Sequence, residues 1–590
     1  MNNKLTPRAE HPRPQFYRDN WLNLNGEWDF EFDFGNSGTA RGMMQTDAVF
    51  TKKIIVPFCP ESKLSGIEYT DYINAVWYRK HITITEEQKN STVLLHFGAV
   101  DYKSTIFING KKCGEHKGGY SSFSIDITSL LETGDNVITV NAVDDIRSGK
   151  QPAGKQSVRY ASRGCSYTRT TGIWQTVWLE FVPKTYIESV KIYADAVSGN
   201  INVSAYIKGK PNGCIFADIT YNGEKVASVQ SASHTGEINL FAHIDNAKLW
   251  NVGEPNLYDI EFKLDCDVVK SYFGFRTIEI DGNKVLINKK SVFQRLVLDQ
   301  GFYPDGIYTA PEDKDLKNDI IRSMELGFNG ARLHEKVFEE RFLYYADKLG
   351  YIVWGEFPNW GMSLGYSDNR NGVITANDGL SDFITEWTEV VERDYNHPSI
   401  VGWCPNNETW NDSQKEVVGI IYDITKSLDK TRPVIDTSGG YHIRTDIYDT
   451  HDYTQDIDIF RQRYLEEMTD SSVYDRFSPL HQQYIGGPFM LSEFGGSSWA
   501  RKSVKDINDK NSSWGYGNAA QTPEEFAKRF EELISTLLKQ RLIFGYCYTQ
   551  LYDVEQEQNG LYYYSREYKF SSEIKDFMHK VQSQKAAIED

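Results

Sequence analysis

Residues 328–356 read FNGARLHEKVFEERFLYYADKLGYIVWGE, in which short apolar segments at 328–333 and 351–356 flank a longer segment of mixed polarity. Both short segments have the length and composition of buried β-strands. Strand candidates of the same kind recur after residue 278, with amphipathic helices between several of them, at 292–298, 400–404, 433–437, 446–451, 488–493 and 543–549. Eight strands with intervening helices over about 300 residues predict a (β/α)8 TIM barrel, although the spacing also allows a doubly wound sheet.

The chain before residue 278 has a different pattern, which is almost entirely β. Segments Thr92–Phe97 and Lys103–Ile108 are followed by Asn109-Gly110, a dipeptide typical of tight β-hairpins. A first series of short strands predicts a jelly-roll β-sandwich, and about seven further strands predict an immunoglobulin-like β-sandwich. We therefore expect a multidomain chain divided at residues 1–183, 184–277 and 278–590.

Composition excludes several classes of protein. The 590 residues include 64 Lys and Arg and 82 Asp and Glu, a formal net charge of −18. This balance argues against nucleic-acid binding, because phosphate contacts need clustered cations. No segment approaches the roughly 18 consecutive apolar residues of a membrane span. The seven cysteines lack a Cys-x-x-Cys pair and the polar N-terminus lacks an apolar signal core. We therefore expect a cytoplasmic location, or a periplasmic one if a signal was removed.

Two glutamates are candidate catalytic residues because of where they stand relative to the predicted strands. Glu408 follows the fourth barrel strand and Glu493 ends the seventh. Chemistry in a TIM barrel takes place at the C-terminal ends of the strands, and strands four and seven face each other across the barrel mouth. Cleavage of a glycosidic bond needs such a pair, one carboxyl to protonate the departing oxygen and the other to attack or to activate water.

Position alone leaves a second interpretation open. In a chain with 82 acidic residues, two glutamates after predicted strands also arise by chance, and most carboxylates are solvated surface groups. The residues around the two glutamates favour the catalytic interpretation.

Those surroundings resemble glycoside hydrolase family 2, the group that contains β-galactosidases, β-glucuronidases and β-mannosidases. Tyr395–Ile400 leading into Asn407-Glu408 is similar to the acid/base segment of that family, and Ser492–Gly495 is similar to its nucleophile segment. Further similar motifs are Asn329–His334, Asp347–Glu356, Leu24–Trp28, Trp77–Arg79, Asn109-Gly110 and Gly172–Gln175. The similarity covers roughly residues 10–580 in the family's domain order, and it implies a sugar-binding-like first sandwich.

The resemblance implies a role for each matching residue. Glu408 would be the general acid/base and Glu493 the nucleophile, in a retaining mechanism. Asn407 would bind the 2-hydroxyl of the sugar, and Arg332 would keep Glu493 ionised and oriented. Further substrate-binding candidates are Asp299 and His334 at sugar hydroxyls, Tyr453 at the nucleophile, His451 beside Tyr453, and Tyr546 or Tyr548 in place of the tryptophan that often stacks under the sugar.

One departure from the family bears on the substrate. β-Glucuronidases carry an Asn-x-Lys pair after strand eight, whereas this chain has Glu557 and Asn559 at the corresponding positions. Because a carboxylate there would repel a uronate, a neutral sugar and first of all a β-galactoside is the expected substrate. The triplet Asn508-Asp509-Lys510 lies in a polar loop soon after strand seven and is interpreted as solvated.

The expected partner is a carbohydrate, either an oligosaccharide or a glycoconjugate, cleaved at its non-reducing end. The chemistry requires no cofactor and no metal, and a homo-oligomer is compatible with the sequence. Alternatives are a β-glucuronidase, β-mannosidase or arabinosidase on the same scaffold, or a carbohydrate-binding protein without activity.

The segment Gly149–Lys155 matches the spacing of a phosphate-binding loop. However, Gln156 replaces the Ser or Thr that binds magnesium in such loops, and no helix is predicted to follow. We interpret the match as chance.

Overall fold

The computed structural model describes residues 6–211, 213–362, 379–410, 415–476, 482–499 and 513–590. Two β-sandwiches are followed by a parallel barrel, as predicted. No helix of these described residues is long and apolar enough to cross a membrane.

The first sandwich packs a four-stranded sheet, in the order β1-β12-β5-β9, against a six-stranded sheet, in the order β3-β2-β4-β10-β7-β8. Asn109 and Gly110 both have positive φ, as a two-residue hairpin between β7 and β8 requires. The elements are β1 (Trp21–Asn23), β2 (Gly26–Phe32), β3 (Lys52–Val56), β4 (Ala75–Ile84), α1 (Glu86–Lys89), β5 (Thr92–Phe97), β6 (Val100–Asp101), β7 (Lys103–Ile108), β8 (Lys111–Lys117), β9 (Phe123–Asp126), β10 (Gly134–Val143), β11 (Gly172–Ile173) and β12 (Val177–Val182).

The second sandwich has the seven long strands expected of an immunoglobulin-like domain, in sheets ordered β13-β14-β17 and β16-β15-β20-β21. Along β14 every second side chain is buried, because its alternate residues face the opposite sheet. The strands are β13 (Tyr186–Asp195), β14 (Asn200–Lys208), β15 (Gly213–Tyr221), β16 (Glu224–Ser233), β17 (Glu237–His243), β18 (Trp250–Asn251), β19 (Glu254–Pro255), β20 (Tyr258–Leu264) and β21 (Asp267–Phe273).

The barrel follows a small antiparallel sheet and consists of parallel strands alternating with helices. The strands of the small sheet are β22 (Ile278–Asp281), β23 (Lys284–Ile287) and β24 (Lys290–Ser291). The barrel strands are β25 (Gln294–Asp299), β26 (Gly330–Leu333), β27 (Ile352–Glu356), β28 (Ile400–Cys404), β29 (Tyr448–Asp452), β30 (Phe489–Gly495) and β31 (Ile543–Thr549). The helices are α2 (Asp313–Glu325), α3 (Glu340–Leu349), α4 (Leu380–Asp394), α5 (Lys415–Leu428), α6 (Ile457–Arg461), α7 (Pro523–Leu538) and α8 (Ser572–Gln582).

The strand predicted at 433–437 is wrong. Seven parallel strands form one sheet in the order β28-β27-β26-β25-β31-β30-β29. The segment after α5 contributes two isolated parallel bridges, Trp403 to Val434 and Asn407 to Ser438, where the fifth barrel strand was expected. Bends at residues 431–432 and 436–437 flank the segment and leave it too short for a regular ladder.

Two tryptophans on neighbouring barrel strands each pack over a glycine of the other strand, on opposite sides of the sheet, and the Nε1 of Trp403 donates outward to Asp429 Oδ2 at 2.9 Å. Trp354 on β27 lies beside Gly402 on β28, and Trp403 on β28 lies beside Gly355 on β27. A Cβ atom on Gly402 would lie 2.4 Å from the Trp354 ring, and one on Gly355 would lie 2.7 Å from the Trp403 ring. The two glycines therefore make room for large side chains in a closely packed interior.

A long loop of the first sandwich, between β10 and β11, lies against the C-terminal ends of the barrel strands. The amides of Ala153 and Gly154 donate to the carbonyl oxygen of Trp360, which follows β27, at 2.7 and 3.1 Å. Gly154 has φ +54°, and a Cβ there would lie 2.3 Å from the carbonyl oxygen of Glu335. Only glycine fits this close contact. The loop of the first sandwich therefore packs directly on the barrel and forms part of the wall of its mouth.

Candidate active site

The two predicted carboxylates converge at the mouth of the barrel. Glu408 lies just after β28 and Glu493 lies on β30. One oxygen of each carboxylate and one ring nitrogen of His451 all lie within 4.8 Å of one another. Glu408 has φ +48°, a left-handed conformation that is costly for a non-glycine residue and persists only where the surrounding structure holds it. Its amide donates to the carbonyl oxygen of Ser438 at 2.8 Å, which holds it in place.

Arg332 on β26 joins the residues predicted around the nucleophile. Its Nη1 donates to Glu493 Oε1 at 2.9 Å, and its Nη2 donates to Asn407 Oδ1 at 2.6 Å. Its Nε donates to Glu356 Oε2 at 2.5 Å, which balances the buried guanidinium with a second carboxylate. Burial would raise the pKa of Glu493, but the charges of His451 and Arg332 help to lower that pKa to about 2. Glu493 is therefore an anion at neutral pH.

Tyr453 contacts the other oxygen of the nucleophile candidate. Its hydroxyl donates to Glu493 Oε2 and lies 3.1 Å from Thr549 Oγ1 at the end of β31. Its ring stacks on Tyr516 with centroids 3.5 Å apart. Arg332 and Tyr453 thus fix the Glu493 carboxylate from two directions.

Asn407 keeps one donor available. Its backbone amide donates to Asn359 Oδ1 at 2.7 Å, and its Oδ1 accepts from Arg332. Its Nδ2 is buried and, among the residues that the structure describes, has no hydrogen-bond partner. An unpaired buried N–H is costly, so a sugar hydroxyl at this position would gain a directed hydrogen bond.

His451 on β29 lies between the two glutamates. Its Nδ1 is 2.9 Å from Glu408 Oε1, and its Nε2 is 3.5 Å from Glu493 Oε1 and 3.0 Å from Ser438 Oγ. Burial opposes protonation of the ring, but the Glu493 and Glu408 carboxylates raise the pKa of His451 above its ordinary value. The imidazole therefore links the two acids, and their carboxylates favour its protonated form.

His334 and Asp299, both predicted to bind sugar hydroxyls, have different surroundings in the structure. His334 Nδ1 lies 3.0 Å from Glu356 Oε1 and 3.7 Å from Glu493 Oε1, so the structure brings His334 to the nucleophile. Burial lowers the pKa of His334 well below its ordinary value, which leaves the ring neutral. Asp299 ends β25, where its Oδ1 accepts from the Gly301 amide. Burial and the charge of Asp319 raise the pKa of Asp299 to about 7. The contacts of His334 and Asp299 with sugar hydroxyls stay predictions.

The interpretation of Tyr548 or Tyr546 as a stacking residue is wrong. Tyr548 packs against Phe494 and Phe530 of α7, and the Tyr546 hydroxyl donates to Gln582 of α8. Both rings therefore point from β31 toward the helices. Thr549, one residue later, faces the site instead, because successive side chains of a strand point to opposite sides.

Sequence reasoning missed a group of residues contributed by the interdomain loop. Lys155 is buried with its Nζ 3.7 Å from the centroid of the Trp360 ring. Tyr167, from the same loop, donates its hydroxyl to Glu557 Oε2 at 2.5 Å. Asn559 Nδ2 donates to the other oxygen of Glu557 at 3.0 Å. Nothing in the local sequence predicts the contacts of the loop with the barrel, because Lys155 and Trp360 are 205 positions apart and Tyr167 and Glu557 are 390 apart. The segment 149–155 has no helix after it and is not a phosphate-binding loop.

Glu408, His451 and Glu493 are also a donor set that could hold a cation. The positive charge of Arg332 at 2.9 Å from Glu493 opposes such binding, and hydrolysis by two carboxylates needs no metal.

Known proteins share this architecture along most of the chain. Family models match residues 28–175 ("Glycosyl hydrolase 2 galactose-binding domain-like"), 185–276 ("Glycosyl hydrolases family 2") and 278–510 ("Glycosyl hydrolases family 2, TIM barrel domain"). A β-galactosidase of Thermoanaerobacter pseudethanolicus is 28% identical over 74% of this chain and 56% of its own length. A putative β-glucuronidase of Formosa agariphila is 26% identical over 60% of this chain and 44% of its own length. The chain thus spans about half the length of these curated relatives.

Solved structures share the fold as well. A β-glucuronidase from an uncultured Clostridium species superimposes with a TM-score of 0.78 at 20% identity, over 96% of this chain and 99% of that chain. A β-glucuronidase of Dictyoglomus thermophilum gives a TM-score of 0.76 at 21% identity, over 97% of this chain and 98% of that chain. Three consecutive family models in one domain order, together with the converging glutamates, show that this chain belongs to glycoside hydrolase family 2.

Proposed function

We propose that the protein is a retaining exo-β-glycosidase that removes a terminal, neutral sugar. The observation that carries the proposal is the approach of the Glu408 and Glu493 carboxylates, one oxygen of each lying within 4.8 Å of the other. Retaining glycosidases place their carboxyl groups about 5–5.5 Å apart, whereas inverting enzymes need about 6.5–9.5 Å to admit a water between them. The wall that the first sandwich adds to the barrel mouth favours a terminal sugar over a long chain.

In the mechanism that we propose, each side chain has its own step. Glu493 Oε attacks the anomeric carbon while Glu408 gives its proton to the departing glycosidic oxygen, so the bond to the aglycone breaks and a glycosyl ester forms. Glu408 then takes a proton from water, whose oxygen attacks the same carbon and releases Glu493 as a carboxylate. Arg332 and Tyr453 hold the carboxylate and stabilise it as the leaving group. The Asn407 Nδ2 donor would strengthen its bond to the 2-hydroxyl as positive charge develops on the sugar.

A β-galactoside is the first substrate we propose. Glu557 stands where the family's glucuronidases carry part of a uronate-binding pair, and its carboxylate accepts from Tyr167 and Asn559. Such a group accepts hydrogen bonds from sugar hydroxyls and repels a carboxylate. A β-galactosidase among the relatives agrees with this choice.

A β-glucuronidase is the second candidate. Curated relatives and solved structures with this fold include β-glucuronidases. Lys155 also brings a cation to the pocket from outside the barrel. The Asn508-Asp509-Lys510 triplet lies outside the described residues.

The decisive experiment is a panel of nitrophenyl glycosides, α and β, neutral and uronate, assayed with the wild-type protein and with Glu493→Gln. We expect turnover of β-glycosides by the wild type and a loss of at least about 10³-fold in Glu493→Gln, because the glycosyl ester cannot form. Azide with Glu493→Gly should yield the α-glycosyl azide, whereas azide with Glu408→Ala should yield the β-azide. A wild-type protein that binds sugars in calorimetry but turns over no glycoside would instead be a carbohydrate-binding protein.

A further inference from the structure

We propose that Lys155 of the first sandwich donates a hydrogen bond to a hydroxyl oxygen of the terminal sugar, so that the substrate site is completed by a domain outside the barrel. The inference rests on the proposed glycosidase function and names a residue that determines its specificity.

The first argument is position. The loop between β10 and β11 carries Lys155 into the barrel mouth, where its ammonium lies over Trp360 at 3.7 Å. Burial opposes its charge, but Cys165 and the carboxylates of Glu557 and Glu493 raise the pKa of Lys155 above its ordinary value. These carboxylates include the nucleophile candidate, so the ammonium faces the cavity in which the sugar would bind.

The second argument is the missing partner. Within the described residues, Lys155 Nζ makes no hydrogen bond or ion pair with the protein, and the ring of Trp360 packs against it with its centroid at 3.7 Å. The ammonium carries three N–H donors, and its Nζ is not among the buried polar atoms of the described residues that lack a partner, so these donors are open to solvent at the barrel mouth. A sugar hydroxyl in the pocket supplies the acceptor that the protein does not.

The loop is held by its backbone, which leaves the side chain free for this role. The Tyr167 amide donates to the Lys155 carbonyl oxygen at 2.7 Å, and the Ala153 amide donates to the Trp360 carbonyl oxygen at 2.7 Å. Because these backbone hydrogen bonds already anchor the loop, the Lys155 side chain is not needed to hold it in place.

The carboxylates around the ammonium favour a hydroxyl over a uronate carboxylate as its acceptor. Glu557 lies close enough to affect the charge of Lys155, and Asn559 and Tyr167 hold its carboxylate in place. A second carboxylate from the substrate would meet Glu557 as well as Lys155, whereas a hydroxyl can donate to Glu557 and accept from Lys155 at once.

The test is Lys155→Met, which keeps the length of the side chain and its packing on Trp360 but removes the donors. The substrate is the neutral aryl β-glycoside that the wild type hydrolyses fastest. We expect kcat/KM of Lys155→Met to be roughly 10- to 100-fold lower, because a hydrogen bond to a charged group is lost. Lys112→Met, an exposed substitution on the same sandwich, is the charge-matched control and should change kcat/KM less than about twofold. Thermal unfolding and titration with a 2-deoxy-2-fluoro glycoside establish that Lys155→Met is folded and keeps its nucleophile.

Substrates that lack the 3-, 4- or 6-hydroxyl identify the contact. One of them should react slowly with the wild type and equally slowly with Lys155→Met, because the same hydrogen bond is already absent. Three results for Lys155→Met would overturn the inference. They are a fall in kcat/KM that is the same for every deoxy substrate, an unchanged kcat/KM, and a fall in kcat/KM that is confined to uronides. If the wild type turns over no β-glycoside, the proposed function fails. The inference is then tested by calorimetry of monosaccharides with the wild type and Lys155→Met, where equal affinities would overturn it.

Discussion

Arg332 Nη1 lies 2.9 Å from Glu493 Oε1, on strands that are not neighbours in the barrel sheet. The same guanidinium donates to Asn407, so a single cation connects the nucleophile candidate with the residue placed to bind the 2-hydroxyl. Because both acceptors depend on one planar donor, the orientation of the nucleophile and the recognition of the sugar are physically coupled.

Arg332→Lys should distinguish the effect of the positive charge of Arg332 from the effect of its hydrogen-bond geometry. A lysine keeps the positive charge but cannot donate to Glu493, Glu356 and Asn407 together. We expect kcat/KM to fall by roughly 10²-fold, measured on an aryl β-glycoside. Arg79→Lys, at a partly buried Asp29 pair in the first sandwich, should stay within about threefold of the wild type. Equal losses in the two variants would contradict a role for Arg332 at the nucleophile.

Tyr453→Phe removes the hydroxyl that donates to Glu493 Oε2 and keeps the ring that stacks on Tyr516. The carboxylate then lacks a donor as it leaves the sugar, so kcat should fall roughly 10²-fold. We expect the covalent intermediate to accumulate, which mass spectrometry of the quenched enzyme would detect. Tyr484→Phe, remote from the site, should retain activity. A normal kcat in Tyr453→Phe would contradict the assignment.

Asn407→Ala should affect substrates that carry a 2-hydroxyl much more than substrates that lack it. Its Nδ2 is the buried donor that has no partner in the described part of the chain. We expect kcat/KM to fall at least about 10²-fold on a normal aryl glycoside and less than about threefold on its 2-deoxy analogue. Asn283→Ala, at an exposed turn, is the matched control and should affect neither substrate. Equal losses on both substrates would indicate a purely structural role.

His451→Gln should shift the pH dependence of the reaction. Burial would raise the pKa of Glu493, and the charge of His451 contributes to lowering it to about 2. A glutamine removes that charge, so the pKa of Glu493 rises toward its ordinary value near 4.5. Because the nucleophile must be ionised, the acid limb of kcat/KM should move to higher pH, which a pH–rate profile measures. An acid limb that does not move, or moves to lower pH, would contradict this reading.

Gly154→Ala should destabilise the interdomain loop. The residue has φ +54°, and an added Cβ would lie 2.3 Å from the carbonyl oxygen of Glu335. Gly164→Ala in the same loop meets nothing within 4 Å at φ +57° and measures the backbone strain alone, about 1 kcal/mol. We expect Gly154→Ala to lose about 2 kcal/mol more in unfolding free energy and to lower kcat/KM, since Lys155 follows it. Equal stabilities of the two variants would show that the loop does not pack closely on the barrel.

Much of the site was predictable because its signals are local. Glu408 follows a strand and Glu493 lies in one, the apolar composition of both strands is visible in the sequence, and each glutamate has a neighbouring motif. Arg332 and Asn407 follow from the same motifs. The seven strands of the second sandwich are visible as alternating apolar residues, because one face of each sheet is buried and the other is wet.

Other residues could not be assigned in this way. All seven residues of β31 are buried, so the sequence shows no alternation that would tell which of Tyr548 and Thr549 faces the cavity. The segment 433–437 has the composition of a strand, but only its surroundings limit it to isolated bridges. Local composition predicts that a segment is apolar, and tertiary packing decides its pairing.

The sequence by itself determined the order of the three domains, the two acids and their nearest partners, because strand periodicity and short motifs are properties of adjacent residues. The tertiary structure alone decided that Lys155 lies over the Trp360 ring near the charge of Glu557, that Tyr548 points away from the cavity and that one donor of Asn407 is unpaired. These three features arise where segments distant in the chain pack together, and no local pattern encodes which side chains will meet across such a distance.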